Sequence, residues 1–229
     1  MGGMVAQAYV LGYPNGTSAA AGREMLSLSL CCTYAAPSAF CERMFGLWAD
    51  MAGKMGVEGV MRDVMLWAFT VSFFREKTGE LEEVEEAMKT LDMSLESYLA
   101  QLNVIQKFYS VGVLRELRDG GRCLGGVGAG KVMVLAGEED ILIPVVLSRE
   151  LCEAITGSVW RITKGGHGCL VSWLLNTQTS QLTNNFAVGV SGRVQQNCAR
   201  LLGDRERADG DMRLSKLVLY MPMIYITLR

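Results

Sequence analysis

Residues 132–144 read VMVLAGEEDILIP, and this stretch decides the fold. Positions 132–136 form a short, unbroken apolar run of the kind that becomes a strand covered on both faces. Gly137 ends the run, Asp140 follows in the loop, and Pro144 leads into a helix predicted over 146–155. Ligand and catalytic groups of parallel α/β sheets sit at such carboxyl ends of strands. A second short strand, VWRIT at 159–163, is followed by KGGHGCL at 164–170. His167 is the single histidine of the chain, in a glycine-rich turn that lets backbone approach closely and leaves the ring exposed at the sheet edge. A lone histidine is more often structural than catalytic. Beside the strand–Gly–x–x–Asp pattern it reads differently. A carboxylate against one imidazole nitrogen fixes the tautomer and stabilises the imidazolium formed when the other nitrogen takes a proton. Asp140 and His167 are therefore candidate catalytic residues, acid and base of a triad.

Working outward, MLSLSLCCTY at 25–34 predicts a strand, alternating at first and then apolar, with Cys31 and Cys32 packed on its opposite faces. Residues 39–74 are helical and rich in Met and aromatic side chains, the usual filler of an irregular apolar core. GELEEVEEAMKTL at 79–91 predicts a helix with Leu81, Val84, Met88 and Leu91 on one face. Its glutamates lie mostly in the first turns, where the helix dipole favours anions, so they form a solvated face and not a metal site. Residues 94–109 predict a further amphipathic helix with Leu95, Tyr98, Leu99, Leu102, Ile105 and Phe108 inward. The segment 125–131, GGVGAGK, nearly spells a phosphate-binding loop. Val132 stands where that loop needs Ser or Thr, and the glycines precede a strand instead of opening a helix, so a flexible loop is expected.

Half of the 229 residues are hydrophobic and 20% are charged, as in an ordinary globular protein with a sizeable core. A net charge of −2 gives no case for nucleic acid, which would call for a basic face. No run reaches the roughly 20 apolar residues of a membrane span; the nearest, LVLYMPMIYITL at 217–228, is short and broken by Pro222. The seven cysteines follow no disulfide-scaffold spacing, so reduced thiols in a cytoplasmic setting are expected. The sequon at Asn15–Thr17 is a three-residue match that such a compartment leaves unused. No cofactor and no metal is expected.

The chain opens MGGMVAQAYVLGYP, which reads like a buried helix already under way, stopped by Gly12 and Pro14. Together with the acid and histidine motifs, this start resembles the α/β-hydrolase superfamily, most closely its small-esterase branch typified by 3-oxoadipate enol-lactonase. There the nucleophile elbow reads G-x-S-x-G-G and its helix continues along the lines of M-V-A-Q-x-x-A-x-x-Y-P. Met1-Gly2-Gly3-Met4-Val5-Ala6-Gln7 and then Tyr13-Pro14 match from the residue just after the serine. The resemblance implies Asp140 as acid, His167 as base and the Met1 N–H as an oxyanion-hole donor, with the nucleophile one residue before Met1. It covers about residues 1–170. The fold class it implies is α/β: remaining parallel strands flanked by helices and a helical cap, with the N-terminal strands absent. The implied division is a partial hydrolase core over 1–38, the cap over 39–118, core carrying acid and histidine over 119–170, and a tail over 171–229 without family character.

The activity implied is hydrolysis of a small-molecule ester or lactone, with Trp48, Trp67, Phe69, Phe73 and Phe74 of the cap setting an apolar pocket. Ser18, Ser27 and Ser148 are the stand-ins one could propose for the nucleophile, and none sits on an elbow. The chain is accordingly expected to be a truncated form that is inactive by itself. Two alternatives remain: a dehalogenase or C–C hydrolase on the same fold, or a non-catalytic interaction protein. In the second, residues 217–228 could pair with the sheet and cover an edge left by missing strands.

Overall fold

A computed structural model describes residues 1–12, 17–18, 23–89, 93–114, 132–168 and 224–228. The elements are α1 (Gly2–Gly12), β1 (Thr17–Ser18), β2 (Arg23–Cys31), α2 (Ala39–Ala68), α3 (Val71–Glu76), α4 (Thr78–Lys89), α5 (Leu95–Lys107), α6 (Val111–Leu114), β3 (Val132–Gly137), α7 (Val145–Ala154), β4 (Val159–Thr163) and β5 (Ile224–Leu228).

The sheet is built on β2, β3 and β4, which run parallel in that spatial order. Leu28 pairs with Val132 and Cys31 with Leu135, while Met133 pairs with Val159 and Gly137 with Thr163. All six residues of β3 are buried, as its unbroken apolar run requires of a central strand. Side chains alternate across the pleat, so Leu28, Leu30, Val132 and Val134 share one face. On that face Ala6 and Val10 of α1 and Leu151 and Ile155 of α7 complete one apolar cluster. Strand β5 pairs antiparallel with β2, Leu28 against Ile226 and Leu30 against Ile224. Both β3 and β5 bond residues 28–30, so they flank β2 on opposite sides. Residues 224–228 of the apolar tail segment therefore join the sheet, and its remaining residues lie outside the described ones.

The strand expected over 25–34 ends sooner. Cys32 has φ of 47°, in the left-handed region that few residues other than glycine adopt, so the chain leaves the pleat after Cys31. The two cysteines thus do not occupy opposite faces of one strand. The Cys32 N–H still donates to the Leu135 carbonyl at 2.8 Å, the last bond of the pairing.

Helices α2 to α6 form the middle of the chain. Ser38, Thr70 and Ser94 cap α2, α3 and α5, each accepting a backbone N–H three residues on. Gly56, at φ 79° and ψ 168°, breaks the helical path of α2 into two arms. The first arm packs Met44, Phe45 and Trp48 against Tyr98 and Leu102 of α5 and against Leu142, Ile143 and Leu147 near the sheet. Asp63 accepts both the Trp48 and Trp67 indole N–H groups, at 2.8 and 3.1 Å. A second cluster joins Met65 and Phe69 to Leu81, Val84 and Met88 of α4. Leu95 and Leu99, expected inward on α5, are exposed; the buried face of that helix is narrower than its apolar stripe. Leu91, the 125–131 loop and the Asn15 sequon lie outside the described residues. No described helix is long and apolar enough to cross a membrane.

Candidate active site

Strand β3 ends at Gly137, and the next residues turn tightly around it. Asp140 N–H donates to the Gly137 carbonyl at 3.2 Å, and the Ile143 N–H donates to Asp140 Oδ1 at 2.8 Å. This local turn uses one carboxylate oxygen and aims the other across the sheet end. Asp140 Oδ2 lies 2.9 Å from His167 Nδ1. An ionised carboxylate only accepts, so Nδ1 carries the proton and Nε2 is left with its lone pair. The Asp140 side chain has no solvent exposure, and that of His167 has 18%. The ring is thus more enclosed than its glycine-rich setting led one to expect, with one accessible edge.

Three sets of backbone contacts hold the two loops in register. The Glu138 N–H donates to the Thr163 carbonyl and the Glu139 N–H to that of Gly165, at 2.8 and 3.0 Å, tying the acid loop to the end of β4. A side chain at Gly137 would overlap the carbonyl oxygens of Gly165 and Gly166, so the histidine loop crosses the strand end at backbone contact. Gly165 itself needs φ of 108°. From the other side the loop meets the end of α2: the Gly168 N–H donates to the Ala68 carbonyl at 2.8 Å, and Phe69 lies where a Gly168 side chain would go. The glycines of KGGHG are the condition for seating His167 between acid loop and helix.

The start of α1 reaches the same edge. Gly3 abuts Thr33, the residue after Cys32, so closely that a side chain there would overlap it. Met1 is half-exposed, and its carbonyl accepts the N–H groups of Met4 and Val5. Among the described hydrogen bonds none joins Met1 to Asp140 or His167. Of the serines considered as stand-ins, Ser148 is buried in α7 with its hydroxyl donating to the Thr33 carbonyl at 2.8 Å. Ser27 lies within β2 and Ser18 in β1. The aromatic side chains of the middle region engage one another, Phe69 stacking on Phe73 at 4.6 Å between centroids.

One residue of this site escaped the sequence reading. Cys32 is buried, and its Sγ, a carboxylate oxygen of Asp140 and a ring nitrogen of His167 all lie within 4.8 Å of one another. The signal was positional: Cys32 follows β2 as Asp140 follows β3.

No protein-family model matches the sequence, and no curated protein matches it. Solved structures do match. An α/β hydrolase enzyme from a Medee basin deep-sea metagenome library superposes with a TM-score of 0.61 at 13% identity, over 81% of this chain and 62% of that one. The chain has the α/β-hydrolase fold, in part. The enol-lactonase from Burkholderia xenovorans LB400 matches at a TM-score of 0.54 and 17% identity, over 69% of this chain and 55% of that one. For a hydrolase from Pseudomonas aeruginosa PA01 the values are 0.55 and 13%, over 77% and 58%. The chain thus spans 55–62% of the length of these α/β-hydrolase structures. At such identities the likeness concerns the fold.

Proposed function

We propose that these 229 residues carry the acid and the base of a serine hydrolase of the α/β-hydrolase superfamily that cleaves an ester or lactone. The 2.9 Å contact between Asp140 Oδ2 and His167 Nδ1 at the sheet's carboxyl edge carries this reading. In it, a serine one residue before Met1 attacks the carbonyl carbon while His167 Nε2 takes the hydroxyl proton. Asp140 holds the ring and stabilises the imidazolium. His167 then returns the proton to the departing alkoxide, and water releases the acyl group by the same route. The Met1 N–H, on the helix that follows the elbow, donates to the oxyanion. Residues 39–118 act as a cap over the site, and residues 1–38 and 119–170 as its core.

None of Ser18, Ser27 and Ser148 stands on an elbow, so in this reading none of them serves as the nucleophile for His167. A reducing, cytoplasmic setting belongs to the same reading, supported by cysteine spacing that matches no disulfide scaffold. The deciding test is the coding sequence immediately upstream of the Met1 codon. An in-frame Gly-x-Ser is expected. An aspartate in the serine's place would move the assignment to a dehalogenase, and unrelated sequence would overturn the catalytic reading of Asp140 and His167. Hydrolysis of a p-nitrophenyl ester by the chain alone, lost in His167→Ala, would overturn the reading that the nucleophile lies outside it.

A further inference from the structure

The structure assigns Cys32, Asp140 and His167 as a three-ligand site for a thiophilic divalent cation, Zn²⁺ above all. The three side chains come from three separate loops at one edge of the sheet, and their donor atoms lie within 4.8 Å of one another. Cys32 and Asp140 are each 4% exposed, and the His167 side chain keeps 18%. Thiolate, imidazole and carboxylate are the donor types Zn²⁺ takes, at about 2.3, 2.0 and 2.0–2.2 Å, with three protein ligands leaving a fourth position for water. A thiolate in the set selects against Mg²⁺ and Ca²⁺.

The charges also suit a buried site. Thiolate and carboxylate together neutralise a divalent ion, whereas either anion alone would be costly to bury. The supporting contacts exist already: Asp140 Oδ1 accepts the Ile143 N–H, and the Cys32 backbone is tied to Leu135. Binding releases one proton to water, from the Cys32 thiol, while the His167 proton passes through solvent from Nδ1 to Nε2, with no change of oxidation state. The bound imidazole then carries its proton on Nε2 and has no lone pair left to act as a base. Occupancy therefore switches the proton relay off. That consequence rests on the hydrolase reading; the binding does not.

The test is titration of the reduced 229-residue chain with Co²⁺, read by absorption, followed by back-titration with Zn²⁺. One equivalent of Co²⁺ is expected to give a thiolate-to-metal charge-transfer band and tetrahedral d–d bands, which Zn²⁺ bleaches. Cys32→Ser should abolish the charge-transfer band with the far-ultraviolet dichroism unchanged, and Cys152→Ser should leave it. His167→Gln and Asp140→Asn should each weaken binding by at least about 100-fold, beyond what loss of an outer-shell partner costs. No band, or a band that survives in Cys32→Ser, overturns the site. The readout needs no turnover, so its failure leaves the hydrolase reading standing, and failure to hydrolyse an ester leaves the metal site standing.

Discussion

The edge of the sheet and the helical middle are held together in different ways. At the edge, Asp140, His167 and Cys32 come from loops that touch through backbone: a strand end crossed by carbonyls, and amides bonded across the gap to Thr163, Gly165 and Ala68. In the middle, α2, α3 and α5 each start with a hydroxyl cap, and α2 is joined to α4 and to α5 by interlocked apolar and aromatic side chains. The first arrangement gives geometry with little tolerance, because backbone does not repack. The second gives bulk burial that a neighbouring side chain can adjust. A site that must hold two side chains within hydrogen-bonding distance belongs on the first.

Four substitutions sharpen or break that contrast. Leu30→Ala, in the fully buried face shared by α1, β2, β3 and α7, should cost about 2–5 kcal/mol by cavity formation. Urea unfolding checks it, and a loss well under 1 kcal/mol would show that this face is not the core. Gly137→Ala should cost about 1–3 kcal/mol through overlap with the carbonyls of Gly165 and Gly166. It should also displace the histidine loop, so the His167 ring proton bonded to Asp140 should vanish from the low-field NMR spectrum. If that resonance stays, the edge is more forgiving than described. Ser94→Ala removes only the cap of α5 and should cost about 1 kcal/mol, leaving the His167 resonance in place.

Tyr98→Phe is the smallest. The Tyr98 hydroxyl is buried with no partner among the described residues, and its pKa is pushed up to about 12 by burial and then by nearby Asp63. Its removal should be neutral or stabilising by up to about 1 kcal/mol, since no bond is lost. A marked destabilisation would show that the hydroxyl has a partner.

Much of this was legible in the order of residues because it depends on neighbours in sequence. Polar–apolar periodicity set the helices, and the run 132–136 marked a strand buried on both faces, because the pleat and the helical turn repeat every 2 and 3.6 residues. Gly137 before Asp140, and glycines on both sides of His167, marked the two loops, since backbone contact and left-handed conformations call for glycine. The inward face of α5 was overstated because periodicity records which side is apolar and not how far a partner covers it, as exposed Leu95 and Leu99 show.

Other features belong to the tertiary structure alone. That Asp140 and His167 meet at 2.9 Å depends on β3 and β4 lying side by side in parallel, which brings together loops 27 residues apart. That Cys32 joins them depends on β2 lying on the other side of β3, and on its turn into the left-handed region after Cys31. Residues 224–228 reach β2 from the far end of the chain, a pairing that no local pattern encodes. Local propensity specifies each strand and loop; only pairing between strands far apart in sequence specifies which loops share an edge, and the chemistry lies there.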